Sequence, residues 1–307
     1  AGKRPVFFTG EPVRCRMVPA TAGDGRSVDG EPAFLDRDGR RLAYTSYGDP
    51  AGRPVVFCHG TPGSRLLGRL LDAPAARRGV RLLAPDRPGI GDSDDAPVGI
   101  DDWPDDVAAL LSHLGAESAG VAGFSGGAPF ALACHRLPAV ESVTLVSGAG
   151  PPGVGDAGVA QRVLGGLAAK APWLCSPLVR VQRWLFARRD PEAALDLVAD
   201  EPPETDTLGP DEVARLVKAD VLAATAGGPR GVVRELGLLA RPWPFDLADV
   251  SVPVTVVQGQ RDGNVAPATG EALGGRLPEA TLEWVDSDHL GTLCVAAPTA
   301  LSGPTPV

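Results

Sequence analysis

The sequence predicts an α/β fold: a mostly parallel central sheet flanked by helices and interrupted by an inserted helical cap. Three observations predict it. Short apolar strand patterns alternate with amphipathic helix patterns from about residue 31 to 150, as βαβ units require. From 151 to 245 helical segments continue but no strand pattern appears. Alternation then resumes at "PVTVVQG" and "ATLEWVD". The expected organisation is an N-terminal arm at 1–30, a first core segment at 31–150, a helical cap at 151–245 and a second core segment at 246–307.

Residues 1–30 are rich in Gly, Pro, Arg and Asp without clear periodicity, and read as an extended arm. "AFLDRDGRRLAYTSYG" predicts two strands around the turn Asp38-Gly39. "RPVVFCHG" supplies a buried strand at 54–58, a helix follows near 64–78, and "VRLLAPD" is the next strand at 80–86. "DDWPDDVAALLSHLG" reads as a helix with acids in its first turn and Gly115 at its end, as the helix dipole and capping favour. A strand at 119–124 leads into Ser125 and a helix at 127–136, and "VESVTLVSG" is a further strand.

Within the cap, "AQRVLGGLAAKAPWLCSPLVRVQRWLFARR" is helical with a break near Pro172. "PEAALDLVAD" and "PDEVARLVKADVLAAT" each open with a proline suited to a first helical turn. Strand 253–259, helix 266–276 and strand 280–286 complete the core.

With 307 residues, 44% hydrophobic and 22% charged, the chain has material for one large globular domain carrying an insertion. Its net charge of −9 argues against nucleic acid and against a membrane as partners, since both call for a basic face. Five cysteines, at 15, 58, 134, 175 and 294, are odd in number and form no CxxC pair. That argues against a disulfide framework or a zinc site and for reduced thiols in the cytoplasm. There is no apolar run long enough to span a bilayer, and the "PVFF" of the N-terminal stretch is too short for a signal-peptide core. No cofactor or metal is expected, and the oligomeric state is left open.

The chemistry centres on "VAGFSGGAPFALAC". Gly123-Phe124-Ser125-Gly126-Gly127 fits G-x-S-x-G between a strand and a helix, the context that gives this motif meaning. Glycines relieve the collisions of so sharp a turn and leave the serine hydroxyl exposed above the sheet. The Gly126 N–H, at the helix N-terminus, is a suitable donor to a developing oxyanion. "FCHGTPGS" supplies a second donor. Pro62 has no N–H, and of Gly60, Thr61 and Gly63 the Thr61 amide is the expected partner. His59 reads as an orienting residue, holding this loop through a backbone hydrogen bond.

A serine nucleophile needs a base. His113 and His135 fall in the C-terminal halves of predicted helices, whereas His289 follows the last strand in "DSDHLG", at the sheet edge where ligand-binding loops converge. An acid must orient it. Asp262, in the loop after the preceding strand, is preferred over Asp286 and Asp288, which lie too close in sequence to reach the far ring nitrogen.

Together "GFSGG", "HGTPG", "APDRPGIGDSD" and the two late loops resemble the α/β-hydrolase superfamily over roughly 33–300, and in particular its bacterial lidded serine hydrolases. The resemblance implies Ser125 as nucleophile, Asp262 as orienting acid, His289 as base, and the Thr61 and Gly126 amides as oxyanion hole. It implies a helical cap at about 151–245, and a small-molecule acyl substrate without cofactor. The short segment after His289 and the N-terminal arm depart from the family pattern. Serine at 125 argues against epoxide hydrolases and haloalkane dehalogenases, which use aspartate, and against dienelactone hydrolases, which use cysteine.

Esterases, lactonases, thioesterases, C–C bond hydrolases and cofactor-free haloperoxidases share the triad and stay open. So do a proline-iminopeptidase-like peptidase, for which Glu201, Glu204 and Asp206 could bind an amine, and non-hydrolytic use of the fold as a lyase, cyclase or ligand receptor. Phe124 is expected to line the substrate site, and Trp173, Trp184, Phe186, Trp243 and Phe245, in or beside the cap, to supply an apolar wall for it.

Overall fold

A computed structural model describes residues 31–155 and 159–302. The predicted arm at 1–30, with Cys15, lies outside the described residues.

Eight strands form one sheet in the order β1-β2-β4-β3-β5-β6-β7-β8. β1 (Ala33–Arg37) and β2 (Arg40–Gly48) form the predicted hairpin, with Asp38 and Gly39 at positive φ in its turn. β2 runs antiparallel to β4 (Val80–Pro85). From there β3 (Arg53–Cys58), β5 (Ala119–Phe124), β6 (Val140–Val146), β7 (Val254–Gly259) and β8 (Ala280–Val285) are mutually parallel. All six residues of β5 are buried, as a central strand covered on both faces should be.

Helices cover both faces of the sheet. α1 (Asp72–Arg77) follows β3, α2 (Trp103–His113) follows β4, α3 (Ala128–Ala133) follows β5, and α9 (Pro267–Gly274) joins β7 to β8. One core, with Trp103, Phe130, Leu132 and Val256, packs α2 and α3 on one face; a second, with Phe57, Leu71, Leu82 and Leu293, fills the other. The helix predicted over 64–78 is divided: Arg65–Leu71 is 3₁₀ and only α1 is α-helical. The Leu67 N–H is drawn to Ser64 O and to the carboxylate of Asp220, a residue of the insertion, so tertiary contacts shape this turn.

Between β6 and β7 the chain leaves the sheet, and the described residues there form the α-helices α4 (Val159–Lys170), α5 (Pro172–Ala187), α6 (Glu192–Leu195), α7 (Pro210–Ala223) and α8 (Arg230–Leu239). Pro172 stands at the start of α5 and Pro210 at the start of α7, as the sequence suggested. "PEAALDLVAD" yields only the single turn of α6. After β8 come α10 (His289–Val295) and α11 (Ala297–Ala300), short as the sequence implied.

Candidate active site

The loops after β3, β5, β7 and β8 leave the same, C-terminal edge of the parallel sheet. β3 neighbours β5, and β7 neighbours β8. The Thr61 turn is thereby set against Ser125, and Asp262 is brought within reach of His289, at the edge where open α/β sheets place their ligands.

Ser125 stands at φ 52°, in the left-handed region that side chains avoid. Its neighbours explain why it is held there. A Cβ on Gly127 would sit 2.1 Å from Cys58 O, and one on Gly123 2.7 Å from the Ala131 Cβ. The glycines thus let β5 turn sharply into α3 while β3 passes close by. The Ser125 carbonyl accepts from the Ala149 N–H at 2.9 Å, which fixes the turn from β6's side. Ser125 alone in 121–130 is not buried.

The pairing between the late loops is direct. His289 Nδ1 lies 2.8 Å from Asp262 Oδ2, with both side chains buried. Asp262 Oδ1 accepts from the Asn264 and Val265 N–H groups at 2.9 and 2.8 Å. Burial pushes this carboxyl's pKa up, but the bond and charge of His289 and the Val265 amide outweigh it, and the net shift is downward. Asp262 is therefore a carboxylate at neutral pH. The Phe124 ring packs tilted against the imidazole, centroids 4.7 Å apart.

His289 opens a helix instead of lying in a loop. Asp288 is the N-cap of α10: its Oδ1 accepts from the Gly291 N–H, while Oδ2 accepts from the Asp200 N–H, each at 2.8 Å. Both oxygens of the nearer acid are thus committed to backbone donors. Asp286 pairs with Arg261 at the surface.

Thr61 and Gly126 meet closely. A Cβ on Gly126 would lie 2.8 Å from Thr61 Oγ1 and 3.1 Å from the Thr61 N, so glycine lets the Thr61 turn approach the Ser125 turn this closely. His59 is fully buried, its Nδ1 2.8 Å from Gly60 O. Burial and the nearby Arg87 cation hold its pKa well below the usual histidine value. It is a neutral orienting group, as read from the sequence.

The sequence reading missed what holds this loop from outside. Arg87, in the loop after β4, donates from Nη1 to His59 O (2.9 Å) and from Nη2 to Gly60 O (3.2 Å). Glu235 of α8 accepts from Arg87 Nε (2.6 Å), Arg87 Nη2 (2.9 Å) and Thr61 Oγ1 (2.6 Å). Both side chains are buried, and the Arg87 guanidinium lies 4.4 Å from the Phe130 ring centre. A fork-to-fork ion pair thus joins the insertion to the Thr61 turn.

Comparison with known proteins agrees with this architecture. The family model described as the alpha/beta hydrolase fold matches residues 53–293. The chain belongs to the α/β-hydrolase family. Among curated relatives, the AB hydrolase superfamily protein YisY of Bacillus subtilis is 35% identical over 105 residues, 33% of this chain and 39% of that protein. The chain spans about two-fifths of the length of the curated relatives it matches. Among solved structures, an esterase from Thermogutta terrifontis superposes with a TM-score of 0.64 at 23% identity, covering 88% of this chain and 95% of that one. The esterase RhEst1 from Rhodococcus sp. gives 0.58 at 25% identity, covering 84% and 91%.

In this α/β hydrolase a cavity of about 250 Å³ opens over the sheet edge. Ser125, His289, Thr61 and Phe124 line its floor, and α5, α7 and α8 close it through apolar residues such as Val179, Phe186, Val217 and Leu236. Phe124 and Phe186 line it. Trp173, Trp184, Trp243 and Phe245 do not: the first two are 72% and 55% exposed on the outside of α5, and the last two pack on the core of the sheet. The physical reason is that α5 turns its Cys175–Val179–Phe186 stripe inward, and Trp173 and Trp184 fall off that stripe. Glu201, Glu204 and Asp206 also lie away from the cavity, Asp206 pairing with Arg77.

The acid that does reach the cavity is Asp220 of α7. Its Oδ1 accepts from Ser64 N (2.8 Å), Ser64 Oγ (2.7 Å) and Leu67 N (3.2 Å), capping the 3₁₀ turn from the insertion. Burial pushes its pKa up to about 7. His113 and His135 take no part: His113 lies edge-on to Tyr44 and His135 beside Phe245, both outside the cavity.

Proposed function

We propose that this protein is a serine hydrolase that cleaves an ester, lactone or thioester of a small to medium organic acyl compound. One observation carries the reading. His289, its Nδ1 2.8 Å from Asp262, lines the same cavity as a serine held at positive φ between glycines. With Nδ1 engaged by Asp262, the imidazole has Nε2 left to take the proton of Ser125. Ser125 Oγ attacks the acyl carbonyl, and the Thr61 and Gly126 amides stabilise the oxyanion. His289 then protonates the leaving group and activates water to release the acyl group. Asp262 holds the tautomer and the imidazolium charge. A predominantly apolar cavity wall fits an organic acyl group. The solved esterase from Rhodococcus sp., 25% identical, supports the reaction class.

Ser125→Ala tests this. The variant loses nearly all hydrolysis of a panel of p-nitrophenyl esters, lactones and acyl thioesters while its circular dichroism matches the parent. A fluorophosphonate probe labels the parent at Ser125 and leaves the variant unlabelled. Turnover retained in the pure variant rejects the mechanism. Absence of labelling in the folded parent favours the ligand-receptor use of the fold.

A further inference from the structure

The outer face of α5 is unlike the rest of the molecule. Trp173, Leu174, Leu178, Val181, Trp184 and Leu185 are all exposed there, spaced so that they share one side of the helix. The surrounding charge is one-sided. The stretch 159–189 contains five arginines, one lysine and no acidic residue, in a chain of net charge −9. Among the described residues no ion pair engages Lys170, Arg180 or Arg188, and the Arg188 guanidinium lies over the Trp184 ring, 3.8 Å from its centre. Elsewhere arginines are routinely paired, as Arg41, Arg77 and Arg234 are with Asp94, Asp206 and Asp95.

We propose that this face of α5 is a docking surface for an anionic lipid bilayer. Tryptophans on an apolar stripe flanked by unpaired cations fit the headgroup region, where indole rings settle and arginine stems bury while their charges stay in water. Attraction to anionic lipid adds to the apolar burial. The helix would lie in the interface plane, since among the described residues no helix is long and apolar enough to cross a membrane. Charge selects lipid over a second copy of the chain: a twofold self-contact would set the cations of this helix, which carries no acidic residue of its own, against themselves. The expectation of no membrane partner rested on net charge, which averages this local excess away. The opposite side of α5 lines the cavity through Val179, Arg183 and Phe186, so seating would bring the cavity next to the lipid. The proposal does not depend on the reaction assigned to Ser125.

Co-sedimentation of the full chain with vesicles of phosphatidylcholine, alone or with about 30 mol% phosphatidylserine, tests it. Wild type is expected to partition at least about ten-fold more strongly onto the anionic vesicles, and to be released as salt rises. Trp173→Ser with Trp184→Ser lowers partitioning about ten-fold or more. Arg180→Glu with Arg188→Glu removes the preference for anionic lipid. If the tryptophan pair fails to fold, Leu178→Ser with Leu185→Ser applies the same test. Wild type that ignores anionic vesicles, or binds both kinds equally, overturns the proposal, as do folded variants that bind like the parent. So does a dimer in sedimentation velocity that the tryptophan pair converts to monomer without any vesicle binding: the face then belongs to a second copy.

Discussion

At Asp262 and Asp288, two acids compete for one role, and their hydrogen bonds separate them. Asp262 reaches the His289 ring, while Asp288 spends both oxygens on backbone donors. Asp262→Asn is expected to lower kcat by about 10⁴-fold, the loss seen when such a triad is left in the wrong tautomer. Asp288→Asn is expected to lower kcat far less, because asparagine keeps the helix cap and gives up only the bond from the Asp200 N–H. Steady-state kinetics on one p-nitrophenyl ester checks both, and reversed effects would reassign the acid. Ser125, Asp262 and His289 were legible in the sequence because each follows directly on a strand pattern, and strand order then fixes which loops meet. That His289 opens a helix was not read, although an aspartate just before an apolar segment is an N-cap signature.

At the scale of elements, the strands were the most legible part, since buried β-strands are short apolar runs bounded by turns. The insertion was legible as a block without strands, but its faces were not. α5 is apolar on two sides, one toward the cavity and one outward, so composition alone could not place Trp173 and Trp184. Glu235 was invisible for a different reason: its partners Arg87 and Thr61 lie 148 and 174 residues away. Its contribution can be measured. Glu235→Ala leaves the buried Arg87 guanidinium without its carboxylate and frees the Thr61 hydroxyl. Removing one partner of a buried pair costs about 3–5 kcal/mol. Urea unfolding is expected to show a loss of that order, and ester hydrolysis to fall because the Thr61 turn loses its tether. A loss below about 1 kcal/mol would mean that water reaches Arg87 and the pair acts as a surface bridge.

For the molecule as a whole, the insertion is fastened to the sheet by acids: Glu235 grips the Thr61 turn and Asp220 grips the turn that follows it. Asp220 makes this fastening sensitive to pH. Its pKa rises from 3.8 to about 7 on folding, chiefly by burial. The folded state therefore holds a proton that the unfolded chain has released between about pH 4 and pH 7. Stability from this group is full below the unfolded pKa and declines as pH rises through the folded one. About three pKa units at 1.36 kcal/mol each give a decline of up to about 4 kcal/mol. Asp220→Asn removes the titration while keeping an oxygen for Ser64 and Leu67. Unfolding free energies of parent and variant, taken from pH 4.5 to pH 8, are expected to diverge with rising pH, the variant gaining relative to the parent until about pH 7 and running parallel above it. Other titrating groups, Asp262 among them, cancel in that difference unless they couple to Asp220. A constant difference across the range would mean that Asp220 is already ionised at acidic pH and that its bonds to Ser64 and Leu67 compensate fully for its burial.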